Sequence, residues 1–173
     1  SESEFEQVKG GSLEKYLKFI LELAHSFPGK IGTHVIVGFS ETEEELVNLL
    51  RKLHSAGVVT SLFAFTPVRG TKLEDQKAPS LEKYRRVQVA FELVKQSRDS
   101  GLGTRNGEII DFGYDKDDLY NLLKNSKVFE VNGCEGCSRP YYNERPGGVI
   151  YNWPRGLTEE EMREEIAKKE SFC

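Results

Sequence analysis

Cys134-Glu135-Gly136-Cys137 is the segment best suited to hold a metal, because two intervening residues let both sulfurs converge on one ion or cluster and Gly136 permits the tight turn this needs. Cys173 is the only other cysteine, so a complete four-thiolate site cannot be built within the chain. Three thiolates with an oxygen or nitrogen ligand, a substrate-held position, or a ligand from another segment all remain open. So do a redox dithiol and plain structural cysteines. A disulfide-stapled scaffold is disfavoured, since three cysteines in 173 residues do not make a stapled mini-protein. The residues that follow, Ser138-Arg139-Pro140-Tyr141-Tyr142-Asn143-Glu144-Arg145-Pro146-Gly147-Gly148, mix fixed prolines, free glycines, aromatics and two arginines. They read either as a loop packing its own aromatics over an edge or as a lid or anion clamp. In the second reading Arg139 is a candidate catalytic residue, and Arg155 belongs with it, because guanidinium forks suit carboxylates and phosphates. His34 stands alone inside a predicted strand, either as a satisfied core histidine or as a functional imidazole. His25 and His54 fall on predicted helices and read as structural.

These side chains are positioned by a strand, a helix and a second strand. β-branched and apolar residues run from Ile31 to Val37 and stop at Gly38. Ser40 with Glu43 three residues later predicts a capping box opening a helix, with Glu41, Glu43, Glu44 and Glu45 placed where the helix dipole favours negative charge. Glu41 itself reads as a helix-start carboxylate. Leu46, Leu49, Leu50 and Leu53 form the helical stripe, Gly57 ends it, and Val58–Thr66 is the second strand, so a parallel βαβ unit is expected. Before it, residues 1–11 read as a loop and Leu13, Tyr16, Leu17, Ile20, Leu21, Ala24 and Phe27 predict an amphipathic helix. After it, Pro67 to Pro79 forms a loop long enough to suggest function, and Ser80 caps a helix carrying Leu81, Tyr84, Val87, Phe91 and Val94. Beyond Gly101 the glycines at 103, 107 and 113 interrupt the pattern. A short strand at 108–112, a short helix at 115–124, an irregular stretch from Val128 to Arg155, and a final helix opened by Thr158 and Glu161 complete the reading. Two regions result: 1–100, with helix, strand, helix, strand and helix, and 101–173, an extension carrying the cysteine pair.

Hydrophobic content of 38% with 30% charged residues describes a soluble globular chain. No apolar run approaches the roughly 18 residues needed to span a bilayer, and no charged-then-apolar leader argues for secretion, so a cytoplasmic protein without a membrane partner is expected. The net charge of −4 is spread along the chain and no basic cluster is interleaved with aromatics, which argues against nucleic acid as a partner. The only methionine is Met162, and two parallel strands are too few for a closed structure, since a complete eight-stranded barrel takes about 250 residues. The expectation is a C-terminal fragment of a larger chain.

At Ile36-Val37-Gly38-Phe39-Ser40-Glu41 and Phe63-Ala64-Phe65-Thr66-Pro67-Val68-Arg69-Gly70-Thr71 the sequence resembles the C-terminal half of a radical S-adenosylmethionine enzyme of the biotin synthase-related group. The resemblance covers about residues 5–98. The Cys134–Gly148 tail is similar to that of one subset, the two-protein lipoyl synthases. It implies an α/β fold, the C-terminal part of a partial (β/α)6 TIM-type barrel followed by an irregular cysteine-containing extension. It also implies S-adenosylmethionine and [4Fe–4S] clusters as cofactors. Ile36, Gly38 and Glu41 match the family's G-x-I-x-G-x-x-E strand, while His34 replaces its first glycine. Ile36 would pack on adenine, Gly38 and Glu41 would shape the turn, and the backbone of Phe63, Ala64 and Phe65 would hydrogen-bond the adenine edge. If Ile36 faces the barrel interior, the period of two puts His34 there as a candidate catalytic residue and turns Val35 and Val37 toward the helices. Cys134, Cys137 and Cys173 would help hold an auxiliary cluster. The family's C-x3-C-x2-C motif for the catalytic cluster is absent from these residues, so its own N-terminal half is the implied partner and the chain as given is not expected to cleave S-adenosylmethionine. The implied reaction is sulfur insertion of the lipoyl synthase kind, with a lipoyl carrier protein or a second synthase subunit as a further partner. A different radical reaction, such as methylthiolation or rearrangement, is the alternative within enzymes. A non-catalytic scaffold with a structural zinc is the alternative outside them.

Overall fold

The computed structural model describes residues 2–131 and 147–167, so Cys134, Cys137, Cys173 and Arg139 lie outside the described residues. The chain opens with a helix, α1 (Glu2–Lys9), where a loop is expected from sequence. Tertiary contacts make the difference. Phe5 packs on Tyr16 with ring centroids 5.3 Å apart, and the Glu4 carboxylate accepts from the Ser40 amide at 3.0 Å and its hydroxyl at 2.7 Å. Gly10, at φ +75°, ends the helix in a conformation that suits glycine. Helix α2 (Leu13–Ser26) forms where the apolar spacing predicts it and is capped by Ser12. Of its apolar stripe only Ile20 and Ala24 are fully buried, while Tyr16 and Phe27 remain largely exposed.

Strand β1 (Gly32–Val37), helix α3 (Glu43–Ser55) and strand β2 (Val59–Ala64) form the expected parallel βαβ unit. The register pairs Val35 with Leu62 and Val37 with Ala64, and these four join Leu46, Val47, Leu50 and Leu53 in the core. Each such burial contributes about 1.5–3 kcal/mol for a large aliphatic side chain. The start of α3 differs from the sequence expectation. Its capping box is Thr42 with Glu45, not Ser40 with Glu43. Ser40 is taken by Glu4, and Glu43 turns inward, where its carboxylate accepts from Arg86 at 2.6 and 2.9 Å and from the Ile109 amide at 2.8 Å.

Ser80 caps α4 (Leu81–Lys95) as predicted, but this helix is buried on nearly every side from Tyr84 to Val94. The region after residue 100 covers it. That region begins with an antiparallel hairpin, β3 (Gly103–Arg105) and β4 (Glu108–Asp111), where only the second strand is expected from sequence. Asn106 and Gly107 turn it with φ of 54° and 82°, the positive pair that a two-residue hairpin loop requires. The hairpin docks on the start of α3, where the Glu44 amide donates to the Gly107 carbonyl at 3.1 Å. Helices α5 (Lys116–Leu123) and α6 (Glu159–Ala167) follow, opened by Asp115 and by the reciprocal Thr158–Glu161 pair. The described residues are therefore a mixed α/β structure with one apolar core that runs from Ile20 to Ile166. Among them no helix is long and apolar enough to cross a membrane.

Arg85 ties the two regions together. It is 1% exposed, and its guanidinium donates to Glu165 at 2.8 Å, to Gln88 at 2.6 Å, to the Ile150 carbonyl at 2.9 Å and to the Tyr151 carbonyl. Its charged end lies 5.0 Å from the centre of the Phe129 ring. Arg85→Met withdraws the cation from a buried carboxylate and two carbonyls, and urea unfolding should show a loss of about 3–5 kcal/mol. Arg85→Met with Glu165→Leu should recover most of that loss, because an apolar pair of similar volume carries no desolvation cost. A double variant no more stable than the single one would contradict this account.

Candidate functional site at the carboxyl end of the parallel strands

At the end of β1 the chain turns sharply at Gly38, whose φ is +123°. A Cβ here would lie 2.6 Å from Pro79 Cδ and 3.1 Å from Phe65 Cβ, so both conformation and space demand glycine. The turn is closed by Glu41, whose carboxylate accepts from the Gly38 amide at 2.9 Å and the Phe39 amide at 3.0 Å. Lys83, in the first turn of α4, donates to the Glu41 carbonyl at 2.8 Å and to its carboxylate at 3.3 Å. From the long loop after β2, Gln76 Nε2 donates to the Gly38 carbonyl at 3.0 Å. Glu41 is thus not a cap of α3: it folds back on the strand end.

Val35 and Val37 are buried, and His34 and Ile36 lie on the opposite, accessible face, as the strand period requires. The register sets His34 beside Ser61 and Ile36 beside Phe63. The His34 and Phe63 rings are 4.8 Å apart, tilted by 60°. His34 is exposed, so it is not a core histidine. Ile36 is 38% exposed despite being aliphatic. Ala64 pairs with Val37 on the buried side. Phe65 packs its ring on Phe39 at 5.0 Å and donates its amide to the Val37 carbonyl at 2.8 Å. That N–H is spent within the sheet. Beside the other edge of β1 runs an apolar cavity of about 200 Å³, lined among others by Phe5, Val8, Leu17, Phe39 and Leu46.

Together these residues make an aliphatic and aromatic ledge next to a rigid turn, a surface suited to the face of a flat ring. Among the described residues no group of three or more His, Cys, Asp or Glu side chains is arranged to hold a metal ion. The two flanks of residues 132–146 are joined: the Val131 amide donates to the Trp153 carbonyl at 2.9 Å, and the Trp153 amide to the Phe129 carbonyl at 2.7 Å. Arg155, weighed with Arg139 as an anion clamp, gives its fork to Glu161 at 2.8 and 2.6 Å. That guanidinium, helped by the Thr158 amide, holds the Glu161 carboxyl down at about 2. Lys83, Gln76 and Pro79 were not singled out from sequence. The signal for Gln76 and Pro79 is the unusual length of the loop between β2 and α4, and nothing local marks Lys83 on α4.

No family model, curated protein or solved structure matches the chain. The importance of the turn therefore rests on its geometry, and Gly38→Ala tests it. Left-handed backbone strain and the clash with Pro79 together should cost about 2–4 kcal/mol in urea unfolding. Gly57→Ala is the control, since Gly57 also has positive φ, +73°, but has nothing within 4 Å of an added Cβ. It should cost only about 1 kcal/mol. Equal losses at the two positions would show that packing against Pro79 does not matter.

Proposed function

We propose that the chain is the C-terminal portion of a radical S-adenosylmethionine enzyme, with β1, α3, β2 and α4 forming the last part of a partial (β/α)6 barrel. The observation that carries this reading is the pairing of an accessible Ile36 beside Phe63 with the Gly38 turn closed by Glu41, at the carboxyl end of parallel strands. This is where open and closed α/β folds bind their ligands. The residues fit an adenosyl group. Ile36 and Phe63 supply an apolar ledge for the adenine plane, and the backbone of residues 63–65 meets the adenine edge. Glu41 and Lys83 keep the turn rigid. When bound, S-adenosylmethionine with a catalytic [4Fe–4S] cluster supplies a 5′-deoxyadenosyl radical for hydrogen abstraction from an unactivated carbon.

The chain's own residues have three tasks in this proposal. Ile36 and Phe63 orient the adenine, and the buried Val35 and Val37 hold those two residues at a fixed height above α3. His34 projects beside Phe63 on the same face and meets substrate or the cluster's surroundings. Cys134, Cys137 and Cys173 are the thiolate donors for an auxiliary [4Fe–4S] cluster, and the reaction is sulfur insertion of the lipoyl synthase kind. The catalytic cluster comes with the chain's N-terminal half, and a lipoyl carrier protein or second synthase subunit delivers the substrate.

Anaerobic reconstitution of this chain with iron and sulfide should yield about four irons and four sulfides per chain with the absorbance of a cubane cluster. Cys134→Ser with Cys137→Ser should abolish both. Joined to its N-terminal half, the protein should carry about eight irons and lose about four in the double variant, with S-adenosylmethionine cleavage retained. Stoichiometric zinc in place of iron, or full iron retention in the double variant, would sink the auxiliary cluster.

A further inference from the structure

We infer that Tyr151 and Gln76 are positioning residues for the Gly38 turn, so that the C-terminal region sets the shape of the site at the end of β1. The ligand assigned to that turn rests on the function proposed above. The mechanical coupling does not.

The turn has two separate sets of restraints. One is local to the βαβ unit and the helix after it: Glu41 takes the Gly38 and Phe39 amides, and Lys83 secures Glu41. The other arrives through the loop from Pro67 to Pro79. Gln76 holds the Gly38 carbonyl, and the Pro79 ring closes over the Gly38 Cα, within 2.6 Å of where a Cβ would stand. A loop of this length has many paths, and the entropy of fixing one of them must be offset by tethers. The tether at its far end is Tyr151, whose hydroxyl donates to the Pro79 carbonyl at 2.7 Å in a buried bond. Tyr151 is itself held by packing and hydrogen bonding. Its ring meets Tyr84 edge-on at 5.2 Å, and its carbonyl accepts from the buried Arg85. A continuous path of packed and bonded groups thus runs from Arg85 through Tyr151 and Pro79 to Gly38.

The second set is not needed merely to form a turn. Gly38 already has its conformation and its amide partner, and a strand-end carbonyl can bond to water. Its consequence is coupling: loosening the C-terminal region releases Pro79, and with it the loop that presses on the turn beneath Ile36 and Glu41.

Residue-resolved hydrogen exchange of the whole chain tests this. In Tyr151→Phe, which keeps the ring against Tyr84 but removes the bond to Pro79, exchange at the Gly38 and Phe39 amides should rise about fivefold, the effect of one neutral hydrogen bond. Gln76→Leu should do the same. Tyr84→Phe removes a buried bond to Asn152 at 3.1 Å from the same cluster without touching Pro79, so it should lower global stability with no selective change at those two amides. Unchanged exchange at Gly38 and Phe39 in both test variants, or an equal rise in Tyr84→Phe, overturns the relay. Titration of the same variants, each joined to its N-terminal half and prepared anaerobically, with S-adenosylhomocysteine supplies the second readout. Affinity about fivefold weaker in Tyr151→Phe and Gln76→Leu but not in Tyr84→Phe ties the relay to an adenosyl site. A selective rise in exchange, with no binding by any form including the wild type, supports the relay and overturns the cofactor reading.

Discussion

A guanidinium buried to 1% exposure is the constraint around which the second half of the chain is arranged. Taking such a cation out of water costs several kcal/mol even after relaxation, and it is tolerated only where its donors meet acceptors in good geometry. The acceptors of Arg85 come from its own helix at Gln88, from the segment at residues 150 and 151, and from α6 at Glu165, while Phe129 covers its face. Apolar burial alone would let these segments slide on α4. The geometry of one planar fork restricts them to a single arrangement, in which 66 residues separate Arg85 from Tyr151 and 80 separate it from Glu165.

The same arrangement extends to the residues beside Arg85 on α4. Gln88 and Tyr84, on the same helix, both donate to Asn152, which holds the residue after Tyr151 against α4. At the first turn of α4, Lys83 holds Glu41, and Arg86 holds Glu43 at the start of α3. Four neighbouring residues of one helix, Lys83, Tyr84, Arg85 and Arg86, thus serve the strand-end turn, the C-terminal segment, α6 and the α3–hairpin junction. Packing and site geometry are linked because one helix carries the contacts of both.

Local signals made much of this legible. The βαβ unit follows from a β-branched run, a leucine stripe and a terminating glycine. The face shared by His34 and Ile36 follows from a period of two, and the caps at Ser12, Ser80, Asp115 and Thr158 lie next to the helices they open. What escaped was decided at a distance. Ser40 with Glu43 and Thr42 with Glu45 are equally good capping boxes in sequence, and the second forms because Arg86 and the Ile109 amide draw Glu43 inward. Helix α1 is a helix because Tyr16 and Ser40 receive it. Arg85 reads as a solvated helical residue until the segments covering it are known. The partners of the turn, Gln76 and Lys83, lie 38 and 42 residues from Gly38 and Glu41. Strand β3 is a different case: Asn106-Gly107 was a local hairpin signal, and counting its glycine as a break concealed it.

The chemistry open to the site follows from which of its groups are already engaged. The Glu41 carboxylate takes two backbone amides and a lysine ammonium, so its oxygens are already committed to closing the turn. The amide of Phe65 is spent in the sheet. Among the described residues on the accessible face, Ile36 and Phe63 offer surface, and His34 offers the one titratable side chain next to them. Such a ledge can bind and orient a planar group and keep water from one side of it, but it brings little acid, base or nucleophile of its own. That balance fits reactions whose reactive group arrives with a cofactor while the protein supplies position. In the proposed function, where positioning is the contribution, the hold on the turn at Gly38 would matter as much as the identity of any side chain facing a bound ring.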